Sequence, residues 1–109
     1  MTTTPTPIVV VLVTAPVGGV AETLARGIIE QSLAACVNIV PGVTSVYRWQ
    51  DRVEVEPEAL LICKTTGAAI PALEAHIRAH HPYDTPEFVV LDPSHVEARY
   101  GAWLSSAVK

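Results

Sequence analysis

The chain is short of the features that mark several functional classes. It has two cysteines, Cys36 and Cys63, and no Cys-X-X-Cys spacing. Neither a zinc finger nor a thioredoxin-type redox pair can be built from them, and two buried thiols in a reducing compartment are the expectation. Only seven residues are Lys or Arg, they form no run, and the net charge is −4. Nucleic-acid binding is driven by neutralising phosphates, so no nucleic-acid partner is expected, and no anionic membrane surface. The longest aliphatic run, residues 8–13, is far below the roughly 20 residues of a membrane helix. Residues 1–7 are polar, Pro-rich and without Lys or Arg, unlike a signal peptide. They are expected to be a frayed, disordered tail before a single domain at residues 8–109, in the cytoplasm.

Charge of either sign is scarce at 17%, whereas half of the residues are hydrophobic. A domain of this size has much surface for its volume. Part of that apolar surface is therefore expected to be covered by another copy of the chain.

Periodicity divides the chain into elements. Residues 8–14 are a continuous, largely β-branched run, the pattern of a central strand buried on both faces. Residues 15–19 break it. From 20 to 33 the period turns helical, with Ala21, Leu24, Ala25 and Ile28 on one stripe. Residues 36–49 and 53–66 read as long strands around a polar turn at 50–52. Pro41-Gly42 marks a bulge in the first, and Pro57 an edge or bulge in the second. Glu54, Glu56 and Glu58 alternate with apolar residues, giving one wet face. A helix over 68–81 stops at Pro82, and a short strand follows at 87–92. Ser94 and Glu97 have capping-box spacing. The helix they open would carry Val96, Tyr100, Trp103, Leu104 and Ala107 on one face.

The order β-α-β-β-α-β-α predicts an α+β fold: a ferredoxin-like βαββαβ unit with an extra C-terminal helix and a four-stranded antiparallel sheet. The two hairpin strands are each about 14 residues against a usual 5–6. Their outer half would project as an arm able to pair between subunits.

Known chemistries of this fold lack their residues here. The loop after the first strand, residues 14–19, has neither the cation of an acyl-phosphate hydrolase nor the thiols of a Cu(I) carrier. The central strands lack the aromatics of an RNA-binding sheet, and no nucleophile motif is present. No acid, base and nucleophile set can be nominated, so no enzymatic activity is expected. Two groups remain. His80 and His81 are the candidate metal ligands, and His76, four residues before His80, has spacing that can share an ion. The plainer alternative is a helix C-terminus favoured by cationic His. Tyr47, Trp49, Lys64, Tyr83 and Trp103 could line a cleft at subunit borders, or simply pack there.

Several stretches occur together in order: residues 9–16, 33–42, 44–49, 62–66, His80-His-Pro-Tyr-Asp-Thr-Pro-Glu87 and 100–104. Together they resemble the CutA divalent-cation-tolerance family, over residues 8–109. The resemblance implies a tight homotrimer joined through the long hairpins, with an architecture akin to the trimeric PII signalling proteins. It implies a role in divalent-cation tolerance and response to metal ions, linked to copper. Cu²⁺ or another divalent cation would be weakly bound and not required for folding. His80 and His81 match the family's metal-linked histidines. Some members carry a thiol near the end of the first strand, where this chain reads Leu12-Val13-Thr14. The alternatives are a PII-like small-molecule sensor with clefts between subunits, and a structural trimeric scaffold.

Overall fold

Backbone hydrogen bonding and side-chain alternation together dictate a two-layer arrangement. The computed structural model describes residues 7–109. Its elements are β1 (Ile8–Pro16), α1 (Val20–Glu30), β2 (Cys36–Trp49), β3 (Arg52–Thr66), a 3₁₀ turn (Gly67–Ala69), α2 (Ile70–His80), β4 (Val89–Leu91) and α3 (Ala98–Ala107). The sheet order is β2-β3-β1-β4, antiparallel throughout. This is the expected α+β, ferredoxin-like topology with an added C-terminal helix. No described helix is long and apolar enough to cross a membrane.

The core lies on one face of the sheet. Val9, Val11, Val13 and Ala15 of β1 and Leu61 and Cys63 of β3 are buried against Leu24 and Ile28 of α1 and Leu73 and Ile77 of α2. The opposite face differs from the expectation that β1 is buried on both sides. Val10, Leu12, Leu60 and Ile62 are only half-buried. The physical reason is that, among the described residues, the chain supplies only α3 to that side, where Gly101 meets Ile8 and Lys64 reaches Tyr100.

Several boundaries move for local reasons. β1 runs on to Pro16, because its pairing with β3 continues to Glu58. α1 ends at Glu30 rather than 33. Ser32 turns left-handed (φ 57°), and the Leu33 N–H reaches back to the Ile28 carbonyl at 3.0 Å, a Schellman-type stop. α3 begins at Ala98 and its cap is Glu97, whose carboxylate accepts the Tyr100 N–H at 2.8 Å. Ser94 is therefore not the cap of a box. Of the expected α3 stripe, only Leu104 is fully buried. β4 shrinks to three exposed residues. Of the expected tail, residues 1–6 lie outside the described residues, while the Pro7 carbonyl accepts the Gly67 N–H at 2.9 Å.

The arm is present. From Thr44↔Pro57 to Trp49↔Arg52 the hairpin pairs only with itself among the described residues, which span 55 Å. The bulge falls between Val40 and Val43, with Gly42 at φ 74°. The tip is a two-residue turn, Gln50-Asp51, with both residues left-handed, as the right-handed twist of the strands requires.

Candidate functional site

The chain leaves α2 at His80 and passes under the end of β1, and there the two adjacent histidines part. His81 is buried, with 8% of its surface exposed. Its Nε2 lies 2.8 Å from the Thr14 carbonyl, which can only accept, so Nε2 carries the proton. Its Nδ1 then accepts the Tyr83 N–H at 3.1 Å. Thr14 lies two residues past the last β1–β4 pair, Leu12↔Val89. The imidazole thus takes up a strand carbonyl where β4 has stopped. Both ring nitrogens are used inside the chain, leaving no lone pair for an ion.

His80 takes the other direction. Its ring stacks on His76, with centroids 4.3 Å apart and planes at 27°. Its Nδ1 donates to the His76 carbonyl at 2.9 Å. The expected His80–His81 metal pair is therefore not a chelating pair. Neighbours on a helix point about 100° apart, and here the second has been drawn into a hydrogen-bonding role. No group of three or more His, Cys, Asp or Glu side chains converges among the described residues. Thr14, at the end of β1, offers its carbonyl to His81.

Tyr83 follows His81 and reaches the base of the arm. Its hydroxyl donates to Glu58 Oε2 at 3.0 Å, and its ring packs against His81 at 4.7 Å. Glu58 is buried at 6% exposure, which corrects its assignment to a wet face. Tyr83 covers it and supplies a hydrogen bond that makes the burial tolerable. Burial, then the Glu58 hydrogen bond and the negative charge around it, push the Tyr83 phenol up to about 12. Tyr47 is raised by desolvation and by Glu56, Glu54 and Glu58. Glu87 is raised by burial first and then by Glu58. This end of the molecule is a tyrosine and carboxylate cluster that sequence reading had only half found. Glu58 was missed because its partner is 25 residues away.

The rest of the proposed cleft is spread out. Tyr47 lies opposite Glu54, and Trp49 opposite Arg52 at the arm tip. Lys64 is at the other end of β3, with its Nζ 5.8 Å from the Tyr100 ring, and Trp103 packs on Tyr100 at 5.5 Å. Twelve residues of strand separate Arg52 from Lys64, about 40 Å. Strand alternation puts these groups on one sheet face, the one opposite α1 and α2. A single chain brings Tyr83 onto Glu58 and leaves Tyr47 four residues further out along the arm, opposite Glu54. It does not bring Trp49, Lys64 and Trp103 to them.

Known proteins resemble this chain in sequence and in fold. Residues 9–107 match the family model described as CutA1 divalent ion tolerance protein. The divalent-cation tolerance protein CutA of Thermus thermophilus is 50% identical over 95 residues, 87% of this chain and 92% of that one. The protein of the same name from Escherichia coli is 42% identical over 101 residues, 93% and 90% of the two chains. Among solved structures, CutA1 from Oryza sativa superposes with a TM-score of 0.94 at 42% identity, covering 98% of both chains. The Archaeoglobus fulgidus CutA, named a periplasmic divalent cation tolerance protein, gives 0.90 at 28% identity over 94% of this chain and 99% of its own.

Proposed function

The chain belongs to the CutA1 divalent ion tolerance family, and from that membership we propose that it acts in divalent-cation tolerance as a homotrimeric binding module rather than as an enzyme. The observation that carries the assembly is the face of the sheet left open by one chain. Val40, Val89, Leu91, Tyr47, Trp49, Tyr100 and Trp103 are all exposed on or beside it. On its other face the arm exposes Val53 and Val55, at 66% and 60%. A strand ladder with apolar residues and an unpaired outer edge is completed by further copies of itself.

The cation is a weakly held Cu²⁺ or another divalent ion, read by the assembly and not needed to fold it. The core is closed by aliphatic side chains from β1, β3, α1 and α2, which supports folding without a metal. We place the protein in the cytoplasm on the two free thiols, Cys36 and Cys63, although the Archaeoglobus relative is named periplasmic. Light scattering on purified protein tests the assembly, and survival of a deletion strain in graded Cu²⁺ and Zn²⁺ tests the role. Three chains per particle, with tolerance restored by the gene, is the expected result. A monomer at micromolar concentration, or a deletion strain with unchanged tolerance, overturns it.

A second reading has one specific support. Tyr83 and Glu58 form a hydrogen-bonded polar pair at the base of the arm, with Tyr47 further out on the same sheet face. A small-molecule ligand seated there between subunits would make the trimer a PII-like sensor, with Trp49, Lys64 and Trp103 contributed by neighbouring copies. Ligand-dependent protection of the arm amides from hydrogen exchange is its test.

A further inference from the structure

The base of the arm holds a charge that its own chain leaves uncompensated. Glu58 is 6% exposed. It stands where the β1–β3 ladder ends, opposite Pro16, and opposite Val43 at the foot of the arm. Among the described residues its carboxylate has one hydrogen-bond partner, the Tyr83 hydroxyl on Oε2 at 3.0 Å. The ion pairs among those residues are Arg26–Glu22 and Arg78–Glu74, neither of which involves Glu58. Residues 1–6 add no Lys or Arg. No side-chain oxygen sealed from solvent among the described residues lacks a partner, so the Oε1 that Tyr83 does not reach opens outward. A carboxylate taken out of water needs a cation or further hydrogen bonds in its place. The surroundings instead add negative charge. Glu56 and Glu54 follow on the same face of β3. Burial first, and then the Glu58 charge, hold the Glu87 carboxyl above its usual range.

Among the described residues, Arg52 is the one cation on the Glu58 face of the arm. It is exposed and lies at the tip, opposite Trp49. Arg48 is next to Trp49 and so faces the other way. Arg26 and Arg78 are held on the helices by Glu22 and Glu74. Lys64 is at the far end of β3 on Tyr100. Six residues of strand separate Arg52 from Glu58, about 20 Å, so it cannot reach the Glu58 of its own chain.

We propose that the arm tip of a second copy docks at the base of this arm, with Arg52 of the partner subunit on the Glu58 carboxylate and Trp49 of the partner subunit beside it. The planar guanidinium fork matches a carboxylate and supplies the donors that Oε1 lacks. Arg and Trp are the residue types that most often anchor an interface. The contact joins two different patches, tip to base, and such a contact forms a ring when its rotation closes. Each copy gives one tip and receives one, so a trimer holds three identical pairs. The inference rests on the homotrimer reading and names the charge pair that sets how its arms engage.

The test measures how fast chains exchange between particles. Isotope-labelled and unlabelled full chains are mixed, and mixed particles are counted by native mass spectrometry at a temperature where the parent exchanges within hours. The variants are Arg52→Gln, Glu58→Gln, the two combined and, as a control, Arg48→Gln. Gln at position 58 keeps an acceptor for Tyr83 and removes the charge. Arg52→Gln should exchange about thirtyfold faster or more, because it leaves a buried carboxylate without its cation. The combined variant should exchange more slowly than Arg52→Gln, because the stranded charge is gone. Arg48→Gln should stay within about twofold of the parent. Circular dichroism should not change in Arg52→Gln, since that side chain is exposed in the single chain. Exchange of Arg52→Gln within about twofold of the parent overturns the pair and leaves the trimer standing. A combined variant at the product of the two single effects also overturns it, because Arg52 and Glu58 are then independent. A parent that is monomeric in the same spectra overturns both the pair and the trimer.

Discussion

Replacing His81 by phenylalanine separates the two roles that adjacent histidines can play. The substitution keeps a ring of similar bulk in the pocket beside Tyr83 and removes both polar contacts. The Thr14 carbonyl loses its donor at 2.8 Å, and the Tyr83 N–H loses its acceptor at 3.1 Å. Each hydrogen bond contributes about 1 kcal/mol net, and a buried group left unpaired adds about 1–3 kcal/mol. The Thr14 carbonyl, beyond the end of β4, has no strand on that side to replace the imidazole. The expected loss is therefore about 3–5 kcal/mol. In a domain of about 100 residues this lowers Tm by roughly 12–25 °C. Urea unfolding at fixed protein concentration measures it, since an assembly's stability depends on concentration. The midpoint should fall with an unchanged slope, and Cu²⁺ affinity of the folded variant should be retained. A loss below about 0.5 kcal/mol would refute the hydrogen-bonding role, since it is smaller than the least that two such bonds contribute. A folded variant that loses Cu²⁺ binding would show that His81 is a ligand after all.

Three further outcomes follow from the same geometry. Gly27→Ala places a methyl 3.0 Å from His76 Nε2. The gain in helix propensity offsets the crowding, so stability read from urea midpoints should move by no more than about 1 kcal/mol. A much larger loss would show that the His76 ring cannot yield to the added methyl. The Tyr83 phenol is raised from 10.0 to about 12 in the folded chain. Its contribution is therefore complete below pH 10 and lost as pH rises through 12, and Tyr83→Phe should flatten that part of the stability profile measured by urea midpoints. A variant with the same alkaline decline as the parent would contradict it. Burial, with a smaller effect from Cys36, pushes the Cys63 thiol up to about 12. Because the thiolate is the reactive form, a thiol reagent should label Cys63 only as fast as the protein opens. Labelling of the folded protein at the rate of a free thiol would show otherwise.

Much of the scaffold is written locally. The stripe of Ala21, Leu24, Ala25 and Ile28 is a helix face by spacing alone, and those same residues are buried on α1. Pro41-Gly42 marks the bulge, and the length of the two strands around Gln50-Asp51 marks the arm. These features are legible because they depend on residues a few positions apart. The far face of β1 is not. Its residues are as apolar as those of the core face, yet whether they are covered depends on what else packs there, and the described residues of one chain supply only α3.

The site shows the same division more sharply. Composition raised the expectation of no nucleic-acid or membrane partner, and the sequence nominated His76, His80 and His81 as candidate metal ligands and Tyr83 as a cleft residue. Sequence alone could not tell which histidines would share a space. The hydrogen bond from His81 to Thr14 spans 67 residues and that from Tyr83 to Glu58 spans 25. Strand β4 stops short of Thr14, and that ending creates the unpaired carbonyl that draws His81 inward and leaves His80 to stack on His76. The residue types and their periodicity determined the elements and the candidate chemistry. Only the tertiary structure decided which lone pairs remain free, because that depends on where each strand stops beside its neighbour.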